Sequence, residues 1–444
     1  MSYSSRWCWM LAALVILFSL VLPVLGQTNE VVNWVRENAI PFSSPVVCED
    51  LGDLEPLRAL IGDARIVGLG EQTHGTSEFT TMKHRVIQFL VQEMGFTVVA
   101  LESSLGGCLY ADKYVQGHSV SSSAVGQSLE QFFFNSYEFD QFLNWLRGHN
   151  AASTVPVRIV GLDIFSPHTA LEWFQEILPM GHPVPASVVR DIQFRMSSIS
   201  QLAYSSEMED RWTYIQFVDG LVQRIVAVTS ELESILDPWE MAALDSMPRA
   251  VQHLRSAYGI TSEEKNEAGW WVPESWNYRD ACMAENAAWW LERLGPDAKM
   301  IVWAHNGHIG KQWPEAESVP MGEGLAARFG EDYVSVGLST CEGTFTSYNP
   351  ELPGMGPLPI PEPEADSYES VLCSTRLSNF FLDLRELPPN TGTWEWMFAS
   401  RGFKVIGAAA HVADGQVTSA YDIGATLPAM FDILVHIGST TGSH

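Results

Sequence analysis

Three apolar runs in this 444-residue chain end in groups able to move protons. "RIVGLGEQTHG" runs into Glu71 and His74, "FTVVALES" into Glu102, and "KMIVWAHNGH" into His305 and His308. An imidazole titrating near about 6.5 can take a proton from water at neutral pH. A carboxylate on its second nitrogen would fix the tautomer and support the cation formed in the transition state, and Glu71 or Glu102 could supply it. Taken alone, a histidine just after a strand reads first as a loop hydrogen-bonder. The histidines of "HNGH" change that reading, because they would reach the same rim and could donate to a developing oxyanion. Three histidines and two glutamates would also make a metal set. Two glycine-flanked histidine motifs with carboxylates suffice for direct catalysis, so neither a metal nor another cofactor is assigned.

Competing chemistries fit less well. Gly68 and Gly70 follow a strand, as in a dinucleotide-binding turn, but Thr73 stands where the third glycine belongs. Glu71 would also occupy the approach of a pyrophosphate, and Glu102 lies farther on than the usual twenty or so residues. The glycines read instead as room for a sharp strand-to-helix turn. No P-loop occurs, and "GTSEF" is the nearest approach to a serine nucleophile elbow, lacking its second glycine. The formal charge is -28, from 53 acidic against 25 basic side chains of which six are lysines. Such a surface repels phosphate backbones, which excludes nucleic acid as a partner.

Two further runs, "VRIVGLD" ending at Asp163 and "YVSVGL", share the same grammar. Short continuous apolar runs are what buried strands of a largely parallel sheet look like. Between the first two runs, "EFTTMKHRVIQFLVQEMG" predicts a helix with Met82, Val86, Phe89, Leu90 and Met94 on one face and Gly95 as its stop. Ligands of such sheets sit beyond the carboxyl ends of the strands, so Glu71, Glu102, Asp163 and His305 should converge. The expectation is an α/β fold, a largely parallel central sheet flanked by helices, with an inserted helical subdomain. Residues 27–184 and 295–444 would form the core, and residues 185–294 the helical insertion walling the cleft. Within it "NYRDACMAENAAWW" puts Arg279, Met283, Asn286 and Trp290 on one helical face. That face reads either as a substrate wall or as an ion pair with core packing. The segment 357–370, "PLPIPEPEADSYES", reads as a linker or lid.

Residues 1–26 have the basic start, apolar run and small residues of a secretory leader, which implies a secreted or periplasmic protein. No later segment of eighteen apolar residues follows, so no membrane insertion is expected once the leader is removed. Cys48, Cys108, Cys282, Cys341 and Cys373 then remain, an odd number that leaves room for a disulfide or two without saying which.

"GLGEQTHGTSEF", "TMKHRVIQFLVQEMGFTVVALES", "VGLDIFSP", "NYRDACMAENAAWWLE" and "IVWAHNGHIGK" resemble, in order and spacing, the erythromycin esterase family. The likeness runs from about Val47 to "FDILVHIG". It implies an α/β core with helical additions, and hydrolysis of a macrolactone-type ester, a small-molecule substrate, by water without an acyl-enzyme. The resemblance makes His74 the general base beside Glu71 and Glu102, and has His305 and His308 place the lactone or stabilise its oxyanion. Its basic residue in the helix after the motif falls on Lys83 or Arg85; some members carry Arg where this chain has Lys83. Asp163, Arg279 and Asn286 complete the expected substrate-binding set. The related fold also hosts metal-dependent peptidases and haem-binding proteins, so a metallohydrolase and a non-catalytic haem or envelope-polysaccharide accessory protein are the alternatives.

Overall fold

The computed structural model describes residues 29–129, 131–164, 169, 172–173, 208–227, 236–257, 273–314, 318–348, 355–408, 410, 412–413, 416–417 and 421–444. The leader at 1–26 lies outside them. Among the described residues no helix is long and apolar enough to cross a membrane.

A nine-stranded mixed sheet forms the centre. Its strands are β1 (Ile40–Pro41), β2 (Ile66–Leu69), β3 (Val98–Ser104), β4 (Arg158–Asp163), β5 (Met300–Trp303), β6 (Tyr333–Tyr348), β7 (Met355–Pro359), β8 (Asn379–Asp383) and β13 (Ile433–Thr440). Four short strands, β9 (Arg401–Val405) with β12 (Tyr421–Ala425) and β10 (Val412–Ala413) with β11 (Gln416–Val417), make two separate ribbons. The order β1-β8-β13-β6-β2-β5-β3-β4 is parallel from β13 to β4, whereas β8 and β1 join antiparallel at one edge. All five runs singled out by their apolar grammar are strands of this parallel stretch. β2, β3 and β5 are wholly buried, as both-sided coverage by helices requires. One arrangement lies outside the sequence pattern. β2 and β3 are not neighbours, because β5 slots between them, with Trp303 level with both Leu69 and Leu101.

Helix α1 (Ser77–Met94) joins β2 to β3 and stops at Gly95, whose φ of 73° is the left-handed C-cap. It is not amphipathic in the usual sense. Residues from Phe79 to Val91 are all buried, including Lys83, His84 and Arg85, because α3 (Tyr137–Ala152) covers the face that would otherwise meet water. Helix α2 (Leu105–Val115) is capped by Ser104 Oγ, which accepts from Gly107 N–H at 3.0 Å. Between β4 and β5 the described residues are helical, with α4 (Met208–Val226), α5 (Pro238–Ala257) and α6 (Pro273–Leu294). Here α4 packs on α5, and α5 on α2 and α6, while α6 lies against β4. The segment 186–203, also expected to be helical, lies outside the described residues. Helix α7 (Met321–Phe329) precedes β6.

The segment 357–370 is a linker only in its middle, where residues 360–367 connect a strand to a helix. Pro357 and Pro359 belong to β7, which pairs antiparallel with the far end of β6, Pro357 opposite Thr346 and Pro359 opposite Thr344. An edge strand tolerates a residue without an N–H, which is why a proline-rich stretch can pair there. Ser367 then caps α8 (Tyr368–Ser374), whose Tyr368, Val371 and Leu372 enter the core. A disulfide joins Cys341 on β6 to Cys373 on α8, leaving Cys48 exposed and Cys108 and Cys282 buried as thiols.

Candidate active site

The parallel strands deliver their carboxyl-end groups to one rim. Glu71 follows β2, Glu102 lies within β3, Asp163 closes β4, and His305 follows β5. The expected convergence is present, and it divides into two linked clusters.

The first cluster is the turn after β2. His74 Nδ1 donates to Glu71 Oε1 at 2.7 Å, and Lys83 Nζ donates to Glu71 Oε2 at 2.7 Å. Lys83 also donates to Ala304 O at 3.0 Å and lies 5.1 Å over the Trp303 ring. Burial pushes the Lys83 ammonium down, against the pull of Glu71 and Glu102. His74 is 8% exposed and stacks on Phe133 at 4.3 Å. With Nδ1–H committed to Glu71, the neutral form of the ring carries its lone pair on Nε2.

The glycines of this turn permit close approach. A Cβ on Gly70 would meet Asn306 Oδ1 at 2.0 Å, and one on Gly75 would meet the Thr346 carbonyl at 1.7 Å. Neither glycine needs a positive φ. They serve packing against the "HNGH" segment and β6, not a phosphate cradle. The Gly75 carbonyl accepts from both Thr346 N–H and Ser443 N–H, and Thr441 O accepts from Ser77 N–H.

The second cluster centres on Glu102. Its Oε1 takes Arg279 Nη2 and His308 Nε2, each at 3.0 Å, and its Oε2 takes His305 N–H at 2.9 Å. Burial alone would raise this carboxyl, but the charges of His308, His74 and Arg279 outweigh it and hold Glu102 well below its usual range. Asp163 grips Arg279 by two oxygens, Nε at 3.0 and 3.1 Å and Nη2 at 2.5 Å. Asp280 holds the other face of His308, Nδ1 lying 2.9 Å from both carboxylate oxygens, and accepts from Met321 N–H at 2.8 Å. Burial pulls His308 down, but Asp280 and Glu102 together push it up to about 9, so it is an imidazolium at neutral pH. Arg279 Nη1, 3.1 Å from Nε2, then sits beside a second cation across shared carboxylates. Trp276 stacks on this imidazolium at 4.5 Å.

His305 does something else. It caps the one-turn helix Asn306–Ile309, its Nδ1 accepting from Gly307 N–H at 3.2 Å. Its Nε2 donates to the backbone carbonyls of Ile406 at 3.1 Å and Gln72 at 3.3 Å. Burial first, and the neighbouring His74 second, hold His305 well below its ordinary value. It is a neutral strut 4.7 Å from the His74 ring, with both nitrogens spent on backbone. The expectation that it contacts substrate or oxyanion does not match that geometry.

Two expected binding residues are elsewhere. Arg85 faces away from the rim, pairing with Asp53 at 2.6 Å and donating to the carbonyls of Ser44 and Asp50. Lys83, not Arg85, is the basic residue that α1 brings to the site. Asn286 donates to Leu162 O and accepts from Arg249 Nη2, both at 2.6 Å, bracing α6 against β4 and α5. Asp280, Phe133 and Gln72 were not singled out in the sequence. Asp280 had a signal, since it follows Arg279 directly; Phe133 sits in a "FFF" run that reads as core. Gln72 holds the turn from behind, its Nε2 donating to Glu369 at 2.7 Å and its Oε1 accepting from Thr340 N–H at 3.1 Å.

The chain is similar in sequence and fold to known proteins. The chain is 24% identical over 374 residues to erythromycin esterase type II of Escherichia coli, covering 80% of this chain and 89% of that protein. A crystal structure of a Bacillus cereus protein superimposes with a TM-score of 0.72 and 26% identity, covering 94% of this chain and 98% of that one. The erythromycin esterase EreC shares the fold, with a TM-score of 0.62 at 19% identity and coverage of 89% and 95%. The erythromycin esterase family model matches residues 91–440, and the chain belongs to that family of hydrolases.

Proposed function

We propose that this protein hydrolyses a macrolactone-type ester with water activated by His74 and without a covalent intermediate. The observation that carries the reading is the Glu71–His74 pair at the rim, with the buried Lys83 on the carboxylate's other oxygen. Water donates its proton to His74 Nε2 as its oxygen attacks the ester carbonyl, and Glu71 supports the imidazolium that forms. The cations of Arg279 and His308 provide the positive field for the carbonyl oxygen as it becomes an oxyanion. Collapse of the tetrahedral adduct breaks the C–O bond, and His74 returns the proton to the departing alkoxide.

The reading assigns no metal to this rim. Each carboxylate here already faces Lys83, Arg279 or His308, and His305 and His308 have both nitrogens engaged. A location outside the cytoplasm belongs to the same proposal, supported by the leader pattern of residues 1–26 and by the Cys341–Cys373 bond.

The test is mass spectrometry of macrolides incubated with pure protein. A product heavier by one water is expected from wild type and from EDTA-treated protein, with no acyl adduct on the intact chain. The reading falls if His74→Ala turns over as fast as wild type. Loss of turnover with EDTA would favour a metallohydrolase instead.

A further inference from the structure

The Cys341–Cys373 bond lies against a third donor that the rim chemistry does not use. His436 on β13 is level with Ser339 on β6 in the parallel register. One ring nitrogen, Nδ1, lies 3.0 Å from Ser339 Oγ, and the other, Nε2, lies 3.3 Å from Cys341 Sγ. The ring is buried and packs on Phe380 at 4.9 Å, which fixes its orientation. The two sulfurs and one imidazole nitrogen all lie within 4.8 Å of one another, the one such group of metal-ligating atoms among the described residues.

We propose that, once this disulfide is reduced, Cys341, Cys373 and His436 bind one thiophilic divalent ion of the zinc and cadmium class. A phosphine with one water gives two electrons and two protons to the S–S bond, leaving two thiols here and the phosphine oxide. The ion then displaces both thiol protons to solvent and takes the Nε2 lone pair. Two thiolates and an imidazole are a donor set for zinc, and bonds of about 2.3 Å place the sulfurs about 3.8 Å apart, within the spread of the cluster. Ser339 suits both states, because a hydroxyl can donate to Nδ1 in the oxidised form and accept from Nδ1–H when Nε2 carries metal. The half-buried cysteines provide the way in, and a water completes the coordination.

The cluster is tied to the catalytic turn. Thr340, next to Cys341, and Glu369, one helical turn before Cys373, are the two groups that hold the Gln72 side chain. A bound ion would restore the cross-link between these two arms that reduction removes.

The test uses the full chain reduced with a phosphine under inert gas and titrated with Cd2+, reading thiolate-to-metal charge-transfer absorbance. One equivalent is expected in the reduced protein and none before reduction. His436→Gln should weaken binding at least about tenfold, as loss of a ligand or its support does. No thiolate band in reduced wild type overturns the site. So does a full band in the Cys341→Ser/Cys373→Ser variant, which would assign it to Cys48, Cys108 or Cys282. X-ray absorption on reduced, zinc-loaded wild type needs no variant: two sulfurs and an imidazole nitrogen are expected, and a shell without two sulfurs rejects the proposal.

Discussion

His74 and His308 stand at the same rim, each against buried carboxylate, yet their surroundings suit them to opposite work. His74 meets one carboxylate oxygen through Nδ1, and that carboxylate is shared with Lys83. His308 is held on both sides, by Asp280 at Nδ1 and Glu102 at Nε2, and is raised to about 9. One carboxylate orients an imidazole and leaves its second nitrogen free of carboxylate; two carboxylates hold it as a cation through neutral pH. Between them His305, spent on backbone at both nitrogens, is neither base nor charge. The count of partners, rather than residue type, separates a reactive group from a fixed one.

Mutations can break this contrast, beginning with the largest effect. His74→Ala should lower kcat per folded molecule by about 10²–10⁴-fold, the usual contribution of a general base. His308→Gln removes the cation between two buried carboxylates, and a stability loss of about 3–5 kcal/mol is expected in urea unfolding. If His308→Gln were as stable as wild type, the fixed-cation reading would be wrong.

The next effect is a pH dependence. His308 has a folded pKa raised above its ordinary 6.5, so the native state keeps a proton that the unfolded chain gives up. Its stabilisation is fully present below about 6.5 and is lost as pH rises through about 9. Melting temperatures measured across that window should fall, and Asp280→Asn should move the fall to lower pH. An unmoved profile would remove Asp280 as the cause. The smallest effect belongs to Asn286→Ala, which leaves buried partners unpaired at a cost of about 1–3 kcal/mol, with kcat per folded molecule unchanged.

Much of the rim was legible because a strand buried on both faces has to be an unbroken apolar run. Where such a run stops at Glu71, Glu102, Asp163 or His305, the carboxyl edge of the sheet is marked. What the pattern does not encode is which strand lies beside which, so the insertion of β5 between β2 and β3 was invisible. Spacing explains other outcomes. Lys83 and Arg85 are two apart on α1, and residues at that interval do not share a face, so only one could point at the rim. Asn286 does share a face with Arg279, but seven residues carry it about 10 Å along the helix axis, past the rim to the Leu162 carbonyl. The partner counts on the three histidines depend on contacts between distant segments, and no local pattern records those.

The turn bearing His74 is sealed from outside its own neighbourhood. Thr346 and Ser443 grip the Gly75 carbonyl, and Thr441 binds Glu78, a residue 363 positions earlier. Closure of this turn is therefore a long-range event, drawing on the far end of β6 and on the residues just after β13, and no local segment could hold it alone.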